Sequence, residues 1–207
     1  MALIFTKNKA GKDLSIEDET STLDTKGLRI NKPKFIVLHS SYKPNFNDLL
    51  DLHKRQYGWA GVGYHLFVSG DGRIYQARPF DLEGAHALGF NDLSIGVCFY
   101  SENGTPKYDS IEAVKKLIEK IKKDYGNLEV ISHTQAQLHY INRTLESLGL
   151  EKRFPTDAGV VDKMRFASLE SELSCLLNSL GNTNSGSLKY QTKKFRNCPG
   201  EAFRYFI

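Results

Sequence analysis

The sequence predicts an α/β fold in which helices flank a central mixed β-sheet. Three short apolar runs, at 35–38, 94–100 and 128–131, have the length and composition of buried strands. Residues 62–77 alternate in polarity around a Ser-Gly-Asp-Gly turn and predict a β-hairpin. After Asp109, apolar residues recur at helical spacing from Ile111 to Ile121, and Gly126 lies beyond them, which predicts a helix. Glu112, three residues after Asp109, indicates that Asp109 is the helix cap.

The remaining segments are predicted in less detail. Residues 1–33 form an N-terminal extension, of which 6–32 are polar and are expected to be extended or weakly ordered. Residues 34–207 form the main domain. Within it, residues 48–56 predict a short amphipathic helix that ends at Gly58. Residues 136–187 are expected to be an insertion with helices at 138–148 and 168–180 and a polar linker at 182–187.

Composition narrows the function classes. The chain of 207 residues has 28 Lys plus Arg against 24 Asp plus Glu, and a net charge of +4 is too mild to require nucleic acid. Three cysteines are few and odd in number, which argues against a disulfide scaffold. Cys98 and Cys175 are expected to be packed in the interior. No segment has the length of a signal-peptide core or a membrane span. We therefore expect a protein that is made in the cytoplasm and does not insert into a membrane, and we expect it to be a monomer. To act outside the cell, the protein would need cell lysis or a specialised export route.

Two histidines follow predicted strands. His39 ends the run 35–38, and His133 ends the run 128–131. Ligands of open α/β sheets bind beyond the strand ends, so each histidine is a candidate metal ligand, although each could instead cap its strand by bonding to nearby backbone. Two histidines and a cysteine would make a three-ligand zinc site with a fourth position open. In the hairpin, alternation predicts Tyr64, Leu66 and Val68 on one face and His65 and Phe67 on the other, and at most one of Tyr64 and His65 is expected to face the cleft.

Six segments, in order, resemble the zinc-dependent N-acetylmuramoyl-L-alanine amidases of the phage-lysozyme type and the related peptidoglycan recognition proteins. They are Phe-Ile-Val-Leu-His-Ser-Ser at 35–41, His53 through Gly-Trp at 58–59 to Val-Gly-Tyr-His-Leu-Phe at 62–67, Gly-Ala-His-Ala-Leu-Gly-Phe-Asn at 84–91, Ser-Ile-Gly-Val at 94–97, Ser-His at 132–133, and Asn-Cys-Pro-Gly at 197–200. Together they span residues 34–135 and 195–203.

The resemblance implies a set of site residues. His39, His133 and Cys198 take the positions of the Zn²⁺ ligands, and Tyr64 that of the tyrosine near the metal. Trp59, His86 and Asn91 are implied to bind substrate. Cys198 separates the chain from similar cytoplasmic recycling amidases, which use aspartate at that position.

One further position departs from the family pattern. Tyr64 and Arg196 are implied to be catalytic: Tyr64 would donate to the developing oxyanion or orient the water, and Arg196 would stabilise the same charge. Arg196 stands where the phage enzymes have a lysine, and arginine keeps the positive charge but does not readily give up a proton. If the family lysine acts only electrostatically, the change is mild; if it transfers protons, Tyr64 or a water must do so instead.

The function implied is hydrolysis of the amide bond between N-acetylmuramic acid and L-alanine in peptidoglycan, as an antimicrobial phage endolysin or a delivered effector. Two alternatives remain open: a peptidoglycan-binding module without catalysis, and a protein in which zinc only stabilises the fold. Residues 134–197 separate two ligands that compact family members join by a short loop. This insertion is expected to border the cleft, where it restricts substrate, binds a wall element or holds a partner, or else it is a passive decoration.

Overall fold

The computed structural model describes residues 14–102, 105–151 and 154–157, and also 175, 198–199, 202–203 and 206. Within this part of the chain a seven-stranded sheet has the order β1-β4-β3-β5-β2-β7, with β6 paired to β5 outside that path. The strands are β1 (Ile16–Asp18), β2 (Phe35–Ser41), β3 (Leu66–Val68), β4 (Ile74–Gln76), β5 (Ser94–Glu102), β6 (Thr105–Pro106) and β7 (Glu129–Ser132). The helices are α1 (Phe46–Leu50), α2 (Tyr108–Tyr125) and α3 (His133–Ser147). The predicted α/β class is confirmed.

The sheet is mixed, as predicted. β2 runs parallel to both β5 and β7, and β3 runs parallel to β5. β3 and β4 form the expected antiparallel hairpin. The N-terminal segment contributes more than an extended lead-in, because β1 pairs in parallel with β4 at one edge of the sheet.

Alternation along the strands determines which face of the sheet carries the polar site. Ile36 and Leu38 of β2 pack in the apolar cluster beneath α2. Val37 points the other way, into a cluster that includes Ala136 of α3, so His39 belongs to that second face. The cluster on the α2 face is larger than the cluster around Val37, and each fully buried Leu or Ile side chain in it contributes about 1.5–3 kcal/mol. Its α2 members are Ala113, Val114, Leu117, Ile118 and Ile121.

Two helices differ from their predictions at the start. The cap of α2 is Lys107, without a side-chain bond, and Asp109 lies in the first turn, so the predicted Asp109 cap is wrong. α1 begins at Phe46, two residues before the predicted start, because the Asn45 side chain accepts a hydrogen bond from the Asp48 amide. α1 continues as a π-helical turn over Asp51–Gln56.

α3 begins at His133, five residues before the helix predicted from Leu138. A capping box explains the earlier start: Ser132 accepts from the Gln135 amide, and the Gln135 side chain accepts from the Ser132 amide. The second predicted helix and the linker lie outside the described residues, apart from Cys175. Cys175 is exposed, so its predicted packing is wrong, whereas Cys98 is buried as expected. Among the described residues, no helix is both long enough and apolar enough to span a bilayer.

Candidate metal centre

Three potential metal ligands meet on the α3 side of the sheet. The donor atoms of His39, His133 and Cys198 all lie within 4.8 Å of one another. Leu38 of β2 is paired with Ser132 of β7, so the residues that follow them are neighbours, and the two imidazole centroids are 4.8 Å apart. β2 runs on to Ser41, so His39 lies within the strand rather than after its end as predicted. The sheet register therefore brings the two predicted histidine ligands together.

Cys198 is held in the cluster by hydrogen bonds to Thr134, in the first turn of α3, and to Ser40 of β2. Its amide donates to Thr134 Oγ1 at 3.0 Å, and the Thr134 amide donates to the Cys198 carbonyl at 3.0 Å. The Ser40 amide donates to Cys198 Sγ at 3.3 Å. An amide donor directed at sulfur favours the thiolate, which is the form that binds metal.

The donor set fits zinc. Zinc takes imidazole nitrogen at about 2.0–2.1 Å and thiolate sulfur at about 2.3 Å, usually in a tetrahedral arrangement. His39 is only 2% exposed, and burial, followed by the neighbouring His133, His86 and His53, holds its pKa well below 6.5. A neutral imidazole is the form that coordinates a metal, so His39 has the protonation state that a metal ligand requires.

His86 contacts a predicted ligand directly. Its Nδ1 lies 3.0 Å from His39 Nε2, and the two rings meet edge to face. The ring occupies space that two glycines leave open: a Cβ on Gly96 would lie 2.6 Å from it, and a Cβ on Gly84 would also clash with it. His86 was predicted to bind substrate. That role stays a prediction, but the structure adds a contact with His39 that the sequence did not indicate.

Tyr64 lies beside the cluster, with its ring centroid 4.9 Å from that of His39. His65 is fully buried, where its Nδ1 accepts a hydrogen bond from the Gly96 amide. The two residues thus separate as expected, but for a different reason. β3 begins only at Leu66, and Tyr64 packs near Phe67 rather than on the predicted face with Leu66.

Trp59, Tyr57 and His53 form an aromatic group next to Tyr64. The Trp59 ring is 4.7 Å from that of His53, which is 5.6 Å from Tyr64. Trp59 and Tyr57 are 40% and 54% exposed, so both offer an aromatic surface to solvent. The predicted substrate contact of Trp59 stays a prediction.

Asn91 supports the loop that carries His86. Its Oδ1 accepts hydrogen bonds from the amides of His86 and Ala87, at 2.8 and 2.9 Å. Arg143 of α3 donates to the Gly89 carbonyl and lies over the Phe90 ring at 5.1 Å. The Asn91 oxygen is therefore engaged within the loop, and the contact of Asn91 with substrate stays a prediction.

Sequence reasoning missed the residues that position the ligands. Thr134 and Ser40 bond to Cys198, yet neither was a candidate. The Ser-x-x-Gln pattern at 132–135 predicts a helix start and would have placed Thr134 in the first turn, next to His133. Arg196, predicted as catalytic, lies outside the described residues.

Sequence comparison identifies the family. The model of the family described as N-acetylmuramoyl-L-alanine amidase matches residues 29–146, more than half of the chain. The chain belongs to this amidase family. The match includes His39, Tyr64 and His133 but ends before Cys198, so within the amidase family model only the two histidines of the donor cluster are covered.

Similar proteins include recognition proteins and phage enzymes. Peptidoglycan-recognition protein LB of Drosophila melanogaster is 33% identical over 97 residues, which are 41% of this chain and 42% of that protein. The endolysin of Klebsiella phage KP32 is 32% identical over 88 residues, 39% of this chain and 58% of the endolysin. The matching segment thus spans about half the length of these relatives.

Solved structures share the fold. Wild-type Drosophila PGRP-LB superposes with a TM-score of 0.52 and 26% identity, over 59% of this chain and 84% of that one. The amidase LysC of Clostridium intestinale gives a TM-score of 0.53 at 22% identity, over 66% and 99% of the two chains, which shows a common fold. The resemblance on which the site residues were predicted is thereby confirmed at the level of the amidase superfamily.

Proposed function

We propose that this protein is a zinc-dependent amidase that hydrolyses the bond between N-acetylmuramic acid and L-alanine in peptidoglycan. The observation that carries the proposal is the convergence of His39, His133 and Cys198 within 4.8 Å. Three protein ligands leave one tetrahedral position for water or substrate, which is the arrangement of a catalytic rather than a structural zinc site. Membership of the amidase family supports the same reaction.

The chain's own residues have distinct roles in this proposal. His39 and His133 each offer an imidazole nitrogen and Cys198 its thiolate. When bound, zinc would supply a Lewis acid that polarises the scissile carbonyl and lowers the pKa of a water to about 7. We assign Tyr64, whose ring lies 4.9 Å from that of His39, the role of donating a hydrogen bond to the negative charge that develops on the carbonyl oxygen. Arg196 would add a positive charge but not a mobile proton.

The substrate would lie across the exposed aromatic group. Trp59 and Tyr57 present faces suited to a sugar ring or the apolar part of a stem peptide. The loop 84–91 borders the cluster of metal donors, because His86 contacts His39. We assign Trp59, His86 and Asn91 to substrate binding, on the resemblance and on this placement.

The biological setting we propose is lysis of a bacterial wall by a phage endolysin, or by an effector delivered through a specialised export route. The likeness to the KP32 phage endolysin supports the first setting. The protein would be made in the cytoplasm and act as a monomer on the wall.

A second candidate function is peptidoglycan recognition without cleavage. Several relatives are named peptidoglycan-recognition proteins, and a variant of Drosophila PGRP-LB has been solved in complex with tracheal cytotoxin. Mass spectrometry of a soluble muropeptide incubated with the zinc-loaded protein separates the two functions. An amidase yields a stem peptide with a free alanine amino group, whereas a recognition module binds the muropeptide and leaves it intact.

A further inference from the structure

A short chain of hydrogen bonds runs from His39 into the protein interior. His39 Nε2 lies 3.0 Å from His86 Nδ1, and His86 Nε2 lies 3.5 Å from Ser94 Oγ. Ser94 Oγ is in turn 2.5 Å from the Phe90 carbonyl. His39 and Ser94 lie on the second face of the sheet, and His86 and Phe90 lie in the loop 84–91.

The chemistry of these groups sets the direction of each bond. The Phe90 carbonyl can only accept, so the Ser94 hydroxyl donates to it. The oxygen of Ser94 is then the acceptor for a proton on His86 Nε2. A singly protonated His86 has its lone pair on Nδ1, so His39 must carry its proton on Nε2 and donate it.

This direction decides which atom of His39 can bind metal. With Nε2 protonated and directed at His86, the lone pair of His39 is on Nδ1. Metal-binding histidines commonly donate their second ring nitrogen to a partner that fixes the tautomer and the ring orientation. Here the partner would be another histidine rather than a carboxylate.

The surroundings of His86 are built to hold its ring in one place. The His86 ring packs directly against Gly84 and Gly96, which have no side chain. A Cβ at either position would collide with the ring. The backbone amide of His86 donates a hydrogen bond to Asn91 Oδ1, which fixes the backbone at His86. The ring edge also faces His65 at a centroid distance of 5.7 Å. Because its ring is confined by two glycines and its backbone by a hydrogen bond, His86 is suited to orienting the neighbouring His39.

We infer that His86 is a positioning residue for the metal: its Nδ1 accepts the proton of His39 Nε2, which fixes His39 as an Nδ1 ligand. The inference rests on the proposed zinc site, but not on catalysis by that site. It assigns His86 a role besides its predicted contact with substrate. His86 would thereby take the part that a carboxylate plays beside many metal-binding histidines, since the hydrogen bond found for the His39 ring among the described residues is the one to His86.

Two substitutions of similar polarity test the inference. His86→Asn keeps an acceptor oxygen near the position of Nδ1, whereas His86→Gln moves the carboxamide to the position of Nε2. We expect the Gln variant to bind zinc about 10- to 100-fold more weakly than wild type, as is typical when a partner of a metal ligand is lost, and the Asn variant to recover most of this loss. Competition with a chromophoric chelator gives the zinc affinity, and the absorption spectrum of the cobalt(II) protein reports the ligand geometry. His139→Gln, on α3 outside the cluster, is the control.

The outcomes are distinct. Equal zinc affinity and unchanged cobalt spectra in wild type and a folded His86→Gln variant would overturn the positioning role, as would nitrogen NMR of the zinc-loaded protein that shows His39 Nε2 as the ligand. If the Gln variant fails to fold, the NMR assignment on wild type decides alone. Tight zinc binding by wild type without cleavage of peptidoglycan would contradict the proposed amidase while leaving the role of His86 intact. Failure of wild type to bind zinc would overturn both.

Discussion

Thr134 and Cys198 each donate a hydrogen bond to the other, although 63 residues separate them in the sequence. The Cys198 amide donates to Thr134 Oγ1, and the Thr134 amide and hydroxyl approach the Cys198 carbonyl at 3.0 and 3.2 Å. Because Thr134 directly follows His133, these bonds place the sulfur ligand relative to a histidine ligand. The geometry of the centre therefore depends on a residue that is not itself a ligand.

Thr134→Val should weaken zinc binding. The substitution keeps the side-chain shape but removes the hydroxyl that accepts from the Cys198 amide. Loss of a partner for a partly buried amide costs about 1–3 kcal/mol, which is about a 5- to 150-fold loss of affinity if the cost falls on the metal-bound state. Chelator competition measures it. Thr144→Val, which removes a hydroxyl bonded to the Tyr140 carbonyl on the same helix, should leave zinc affinity unchanged; an equal loss in both variants would contradict the role of Thr134.

The metal-free protein should lose stability as the pH falls from about 6.5 to about 4. Burial lowers the pKa of both His53 and His65 from 6.5 to about 4. The folded state therefore binds fewer protons than the unfolded state in this range, and the stabilisation is complete above pH 6.5 and lost by about pH 4. Each residue contributes at most about 3 kcal/mol. Urea unfolding between pH 7 and 4 measures the effect.

The control for this pH dependence is His65→Asn. The variant lacks the titrating group, so the drop in its unfolding free energy between pH 7 and 4 should be smaller than in wild type. A wild-type free energy of unfolding that is the same at pH 7 and pH 4.5 would show that the buried histidines do not titrate in this way.

Tyr64→Phe should lower the rate of amide hydrolysis about 100- to 1,000-fold, the usual cost of removing one donor to a developing oxyanion. Zinc affinity should stay within about twofold, because the phenol is not one of the donors in the cluster. The turnover rate on a soluble muropeptide gives the effect. Tyr108→Phe, an exposed tyrosine at the start of α2 and outside the proposed site, should retain the rate, and comparable losses in both variants would argue against a catalytic phenol.

Gly96→Ala should weaken zinc binding by displacing His86. A Cβ at this position would lie 2.6 to 2.7 Å from three atoms of the His86 ring, too close for van der Waals contact. Val97→Ala is the matched control, because Val97 is equally buried on the same strand but faces α2. Both variants should lose stability in urea unfolding, but only Gly96→Ala should lose zinc affinity; retention of affinity would show that the ring can move without consequence.

The sequence was sufficient for the elements that rely on local patterns. The apolar runs of β2, β5 and β7 and the stripe of α2 are recognisable because burial selects apolar residues at the period of the element. The same patterns made His39 and His133 candidate ligands, because both follow predicted strands, but the ligand set with Cys198 came from the resemblance to the amidase family. The boundaries were less accurate: β2 continues through three polar residues, His39 to Ser41, because pairing with β5 satisfies its backbone there.

What could not be predicted depends on contacts between distant residues. The bond between His86 and His39 joins a loop to a strand, and no local period encodes it. Tyr64 was assigned to the face of Leu66 because a strand was assumed from Val62 onward, whereas the chain is irregular until Leu66. The role of Thr134 likewise depends on Cys198, whose position is set by tertiary contacts.

The most direct test of the central claim is the release of new alanine amino termini from purified peptidoglycan. Four samples are compared: zinc-loaded wild type, chelated wild type, Cys198→Ser and Cys175→Ser, the last changing an exposed cysteine outside the cluster. We expect release by zinc-loaded wild type and Cys175→Ser only. No release by zinc-loaded wild type from walls of several stem-peptide types, despite bound zinc and tight wall binding, would contradict an amidase and leave recognition as the function.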